Sequence, residues 1–117
     1  MMMTVATQEQ MLVCQEQGVE PDPPSPYQKL GISRVFSRST FPINGLRHPA
    51  ERGTCGWYLW SGEEFSEDPD FFEPVHIIHM DRRCSEVLRF LALPPGWRFL
   101  FAPNQVDIWY DESLIDV

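Results

Sequence analysis

Along the chain the apolar residues change their period several times, and each change marks an element. From Thr7 to Gln17 the cluster Met11, Leu12, Val13 and Cys14 is framed by polar residues. Thr7 with Gln10 makes a capping-box pair and Gly18 stands where a helix stops, so a short helix is predicted there. VEPDPPSP follows, with four prolines in residues 21–26. A stretch so rich in proline neither continues a helix nor joins a central strand, which makes it an extended connector.

Alternation returns at Gly31 to Ser37, where Ile32, Arg34 and Phe36 share one side of a strand. The next stretch, STFPINGLRHPAERGTCG, reads as turns, with Asn44-Gly45 as its strongest turn signal. Trp57 to Trp60 is apolar or aromatic on both faces, as expected of a buried strand. Residues 61–73 read as an acidic loop, and Pro74 as the start of a strand over Val75 to His79.

Asp81 suits the N-cap of the best helix in the chain. Cys84, Val87, Leu88 and Leu91 fall at helical spacing behind it, and Pro94-Pro95-Gly96 ends it. Two strands close the protein. In WRFLF (97–101), Trp97, Phe99 and Phe101 share a face; in VDIWY (106–110), Val106, Ile108 and Tyr110 do. The four residues between them suit a hairpin loop. The expected fold is α+β: a small antiparallel or mixed sheet of about four to five strands with two packed helices. It forms a single domain over 1–117, with helix and connector through residue 26 and the core over 28–115.

Composition changes this picture little. At 117 residues, 43% hydrophobic and 22% charged, the chain is long enough for one buried core. No basic leader opens the chain, and the three cysteines (Cys14, Cys55, Cys84) do not form a disulfide framework, so a cytoplasmic protein is expected. Charge changes it more. The net charge is −8, which disfavours nucleic acid and anionic membrane surfaces as partners. Five of the nine basic residues lie between Lys29 and Arg52, whereas no Lys or Arg occurs from Gly53 to Asp81 or after Arg98. Acid is thus concentrated in the middle and at the C-terminus, a distribution that reads as ordinary solubility, as in most acidic domains, or more sharply as a surface steered toward a basic protein partner.

Candidate chemistry is thin. Glu63-Glu64 and Asp68-x-Asp70 look like paired general acids, but a catalytic carboxyl needs burial to shift its pKa, and these sit in a Ser/Pro/acid loop open to water. SGEEFSEDPDFFE lacks the spacing of a calcium loop. His76 and His79, read on a strand, point to opposite faces and cannot share a zinc ion. Cys55 suits packing better than nucleophilic attack. No catalytic residue, metal site or cofactor is expected. The four tryptophans default to core, although Tyr58 with Trp60, or Trp57 with Leu59, would lie nearer the surface, depending on which face the helices cover.

Several motifs coincide: PINGLRHP at 42–49, GWY-x-W-x-GEE at 56–64, DPDFF at 68–72, LPPGWRF at 93–99 and WYD at 109–111. In these the chain resembles a group of small bacterial proteins classed with the immunity proteins of polymorphic toxin systems, immunity-protein class thirty-three, over residues 28–115. The resemblance implies a cytoplasmic α+β protein that binds and neutralises a cognate toxin, by occlusion and without catalysis. The toxin could present a basic active site. Glu63, Glu64, Glu67, Asp68, Asp70 and Asp111 are the candidate partner-binding residues. Two other classes stay open: a small acidic interaction module unrelated to a toxin, and an enzyme or ligand-binding protein using a pocket near Glu63, Arg47 and Trp57.

Overall fold

The computed structural model describes residues 5–63, 66, 68 and 70–115. Helix α1 spans Gln8–Gln17, and its ends follow the local signals. Thr7 accepts a hydrogen bond from the Gln10 amide while the Gln10 side chain accepts one from the Thr7 amide, and Gly18 closes the helix in the left-handed conformation. The Gln10 side chain also donates to the Leu88 carbonyl at 2.9 Å, so a capping residue doubles as a tertiary tie.

Six strands form one mixed sheet: β1 (Lys29–Ser33), β2 (Ile43–Arg47), β3 (Thr54–Ser61), β4 (Phe72–His76), β5 (Trp97–Ala102) and β6 (Gln105–Tyr110), in the order β4-β1-β3-β2-β5-β6. Among the described residues only β1 and β3 run parallel. The strand beyond the expected four to five is β2, which lies where turns were predicted. Asn44-Gly45 is no turn but the middle of a central strand between β3 and β5. Gly45 pairs with Phe99, whose ring occupies the space a Cβ would need. Glycine is there to admit that ring and not to reverse the chain.

Three further boundaries differ. β1 ends at Ser33, and Phe36 donates back to the Ser33 carbonyl in a turn. Pro74 lies within β4 instead of before it, which an edge strand tolerates. The predicted helix over 81–91 is broken: a 3₁₀ turn (Ile77–His79) leads into α2 (Met80–Cys84), Cys84 turns extended, and a second 3₁₀ segment covers Ser85–Phe90. Cys84, Val87 and Phe90 are all buried. Their spacing of three matches the 3₁₀ period better than the α-helical one.

The helices cover one face of the sheet. Cys55, Trp57 and Leu59 of β3, Ile43 of β2, Leu30 and Ile32 of β1 and Phe99 of β5 meet Cys14, Met80, Val87, Phe90 and Leu91 there. Phe90 and Phe99 stack with ring centroids 4.5 Å apart. The hairpin of β5 and β6 has the expected facing, since Trp97, Phe99 and Phe101 pair with Tyr110, Ile108 and Val106, and its loop shortens to Pro103-Asn104. Among the described residues no helix is long and apolar enough to cross a membrane.

Candidate partner-binding face

Among the described residues the opposite face of the sheet carries no α-helix, and a short 3₁₀ turn, Glu112–Leu114, meets it through Leu114. Alternation along β3 sends Trp57 and Leu59 to the helices and leaves Tyr58 and Trp60 on this open side. Trp60 is nevertheless buried, with Leu46 and Leu114 in the same cluster and Tyr58, Phe71 and Phe72 packed around them. Edge-to-face contacts chain His48 to Tyr58 (5.7 Å), Tyr58 to Phe72 (5.2 Å) and Phe72 to Phe71 (4.9 Å). Trp109 on β6 is exposed, in contrast to the core role expected of every tryptophan. It sits on an edge strand, beneath the guanidinium of Arg98 at 5.3 Å.

Leu46, Tyr58, Phe72 and Pro74 form an apolar trough on this face, a groove of about 450 Å³. Lys29, His48, Asp68 and Glu73 stand at its borders. His48 contacts the Leu114 carbonyl through Nδ1 at 3.1 Å, so the C-terminal turn bounds the open face. Gly31 exists for the groove in the way Gly45 exists for the core, because the Tyr58 ring lies 2.6 Å from where its Cβ would be.

The acidic candidates divide between two places. Glu63, Asp68 and Asp70 are exposed on the segment joining β3 to β4, and Asp68 borders the groove. Asp68 accepts from the Asp70 amide at 2.9 Å, and the Asp70 carbonyl accepts from Arg34 Nε at 2.7 Å, so this part of the loop is tied to the end of β1. Glu64 and Glu67 lie outside the described residues. Asp111 follows β6 at the other edge, five strand spacings or about 24 Å from β4. There it accepts from Arg98 at 3.1 Å and from both the amide and hydroxyl of Ser113. The Ser113 and Arg98 hydrogen bonds hold its carboxyl below the ordinary value of 3.8.

A cleft joining Glu63, Arg47 and Trp57 does not form. Arg47 and Trp57 both face the helices and are buried. Arg47 donates to the carbonyls of Cys55 (2.9 Å), Asp22 (2.7 Å) and Leu93 (2.8 Å), with a longer contact to Leu91 (3.3 Å). Trp57 Nε1 donates to the same Leu91 carbonyl at 2.8 Å. Burial pushes the Arg47 pKa down, with Asp22 opposing it. The guanidinium therefore ties the proline-rich connector, β2, β3 and the chain before β5 together through backbone oxygens. Sequence offered no sign of this role, since Arg47 stands in a turn-like segment with no partner nearby.

His76 and His79 also differ from expectation. The 3₁₀ turn after His76 brings the two rings to 6.1 Å, so the argument from strand geometry does not apply to them. Among the described residues no group of three or more His, Cys, Asp or Glu side chains is placed to hold a metal ion. Cys14, Cys55 and Cys84 are all buried, and burial raises each thiol pKa. That is the opposite of an activated nucleophile.

A six-stranded mixed sheet with helices on one face and an aromatic groove of mixed-charge border on the other defines a small α+β protein. The chain belongs to the Imm33-like domain family, whose model matches residues 9–111. The match therefore takes in α1 and the connector as well as the motifs from Pro42 onward. No curated protein and no solved structure matches the chain.

Proposed function

We propose that this protein is a cytoplasmic immunity protein that neutralises a cognate bacterial toxin by covering it, with no chemical step of its own. The observation that carries the reading is family membership over nearly the whole chain. The toxin-facing surface is the open sheet face, with the Leu46–Tyr58–Phe72 groove as apolar anchor, Asp68 at its border and the exposed Glu63 and Asp70 on the same acidic segment; Glu64 and Glu67 belong to that segment in the sequence. Such a layout, aromatic at the centre and charged around it, suits a protein partner. An acidic border speeds encounter with a basic toxin surface, because charge complementarity acts chiefly on the association rate.

Co-expression with the adjacent open reading frame tests this. Rescue of growth from a lethal product, with co-purification of the two chains, is the expected result. A harmless neighbour that does not bind would sink the immunity reading and favour an interaction module unconnected to a toxin.

A further inference from the structure

The two edges of the sheet are not alike. At one edge, β4 is interrupted by Pro74, and its Glu73 is engaged by Arg34 at 3.3 Å and faces Arg83 at 3.9 Å. Proline and charge are the usual ways in which an edge strand is closed to further pairing. At the other edge, β6 pairs with β5 only among the described residues and carries no Lys, Arg or Pro over its six residues. Val106, Trp109 and Tyr110 on it are exposed large hydrophobics.

Register shows which backbone groups this edge offers. Ala102 and Gln105 close a two-residue hairpin loop as a hydrogen-bonded pair. By alternation Gln105, Asp107 and Trp109 turn their main-chain groups toward β5, and the Asp111 amide continues the series by donating to the Gly96 carbonyl at 2.7 Å. The amides and carbonyls of Val106, Ile108 and Tyr110 point outward. On the side-chain level, Val106, Ile108 and Tyr110 share the helix-covered face, while Asp107, Trp109 and Asp111 share the open one.

We infer that β6 is a strand-addition site: an extended segment of a partner protein, alternating apolar with Lys or Arg residues, pairs along Val106–Tyr110 as a seventh strand. Its apolar residues extend the row of Val106, Ile108 and Tyr110, and its basic residues meet Asp107 and Asp111, with Glu112 just beyond. Charge selects this occupant over a second copy, since no Lys or Arg follows Arg98 and each copy carries a net charge of −8. Two copies joined at this edge would bring like acids together. Strand addition of this kind takes affinity from main-chain hydrogen bonds and selectivity from alternate side chains. That the segment belongs to a toxin rests on the proposed function; the receptive edge does not.

The test titrates the full chain, by ¹H–¹⁵N correlation spectra, with the hexapeptide acetyl-Lys-Val-Lys-Val-Lys-Val-amide and with the same peptide N-methylated at alternate amides. Expected are shifts centred on the amides of Val106, Ile108 and Tyr110, and at least tenfold weaker binding of the methylated peptide. Val106→Pro removes one outward N–H without touching the β5 ladder, so it should keep the native spectrum elsewhere and lose the peptide. Should that variant not fold, Val106→Lys, which leaves the backbone intact and places a cation on the edge, is expected to weaken binding instead. Equal binding of both peptides, shifts remote from β6, or wild-type dimerisation that Val106→Pro abolishes would each overturn the inference. In the rescue assay, protection by wild type and equally by Val106→Pro would overturn β6 as the toxin's site while leaving immunity standing. Failure of wild type to protect sinks the immunity reading alone, and the peptide result then decides the edge.

Discussion

Phe99 lies across the bare backbone of Gly45, its cross-strand partner, with the ring where a Cβ would stand. The same ring stacks on Phe90 from the helical layer and sits 5.6 Å from Trp57. One missing side chain on β2 thus lets three aromatics close over the middle of the core. Gly45→Ala should therefore cost about 1–3 kcal/mol or more, the range for forcing extra volume into a packed interior. Gly31→Ala meets the half-buried Tyr58 ring on the open face, which has room to turn aside, and should cost less. Urea unfolding of the two variants gives the comparison, and equal losses would contradict it.

Arg47 has a comparable reach through polar contacts. Arg47→Met would leave the buried carbonyls of Cys55 and Leu93, and the part-buried one of Asp22, without this donor, a loss of about 2–4 kcal/mol. Arg47→Lys keeps the charge without the planar fork and should recover only part of it. Since Asp22 is held by Arg47 and by its own bond to the Ala92 carbonyl, both variants should also speed proteolytic cleavage in residues 19–26. Unchanged cleavage would mean that the connector is held by other contacts.

The three thiols should behave as packing groups. With Cys14, Cys55 and Cys84 buried and their pKa values raised, iodoacetamide at pH 8 should modify the native protein far more slowly than the urea-unfolded chain. Mass spectrometry of the two reactions reads this directly. Rapid native labelling of Cys55 would point instead to an accessible, activated thiol.

Asp111 predicts a pH effect of defined sign. Its folded pKa lies below the ordinary 3.8, so its contribution to stability is fully present above 3.8 and is lost as the pH falls through the lower folded value. Asp111→Asn should be less stable than wild type at pH 7, and the gap should close in the acid limb. Unfolding curves from pH 2 to 7 follow it, and a gap independent of pH would assign the effect to packing of the C-terminal turn.

Charge reversal at Glu63, Glu64, Glu67 and Asp68 should slow association with the toxin by about tenfold or more at low salt and flatten its salt dependence, with little change in folding. Stopped-flow association at two ionic strengths measures both. If rate and salt response are unchanged, the loop is ordinary soluble surface.

Much of this molecule could be read along the chain because the signals were local. The Thr7 and Gln10 cap, the Gly18 stop and the facing of β5 against β6 depend on residues within a few positions or on simple alternation. Alternation also separated Trp57 and Leu59 from Tyr58 and Trp60, although only the placement of the helices decided which pair faces the core. The exposure of Glu63, Asp68 and Asp70 was legible for the same reason, since they fall in a polar run that nothing nearby would bury. The open-face groove was not legible. It needs Tyr58 and Phe72 to meet over Gly31, and no period within one strand reports on a neighbouring one.

Sequence by itself determined the class of fold, the end signals of the first helix, the terminal hairpin and the separation of acid from base. Each is fixed by hydrogen bonds or periodicity inside one segment. Only the tertiary structure decided that Asn44-Gly45 is strand and not turn, that the second helix breaks at Cys84, and that Arg47 serves four backbone carbonyls. It also decided that Asp111 stands at the opposite edge from Asp68. In each case the deciding group is distant in the chain: the Phe99 ring over Gly45, the sheet beneath Val87 and Phe90, the carbonyl of Leu93 before Arg47. A segment's own propensity is worth a few tenths of a kcal/mol per residue, and burial of one large side chain outweighs it.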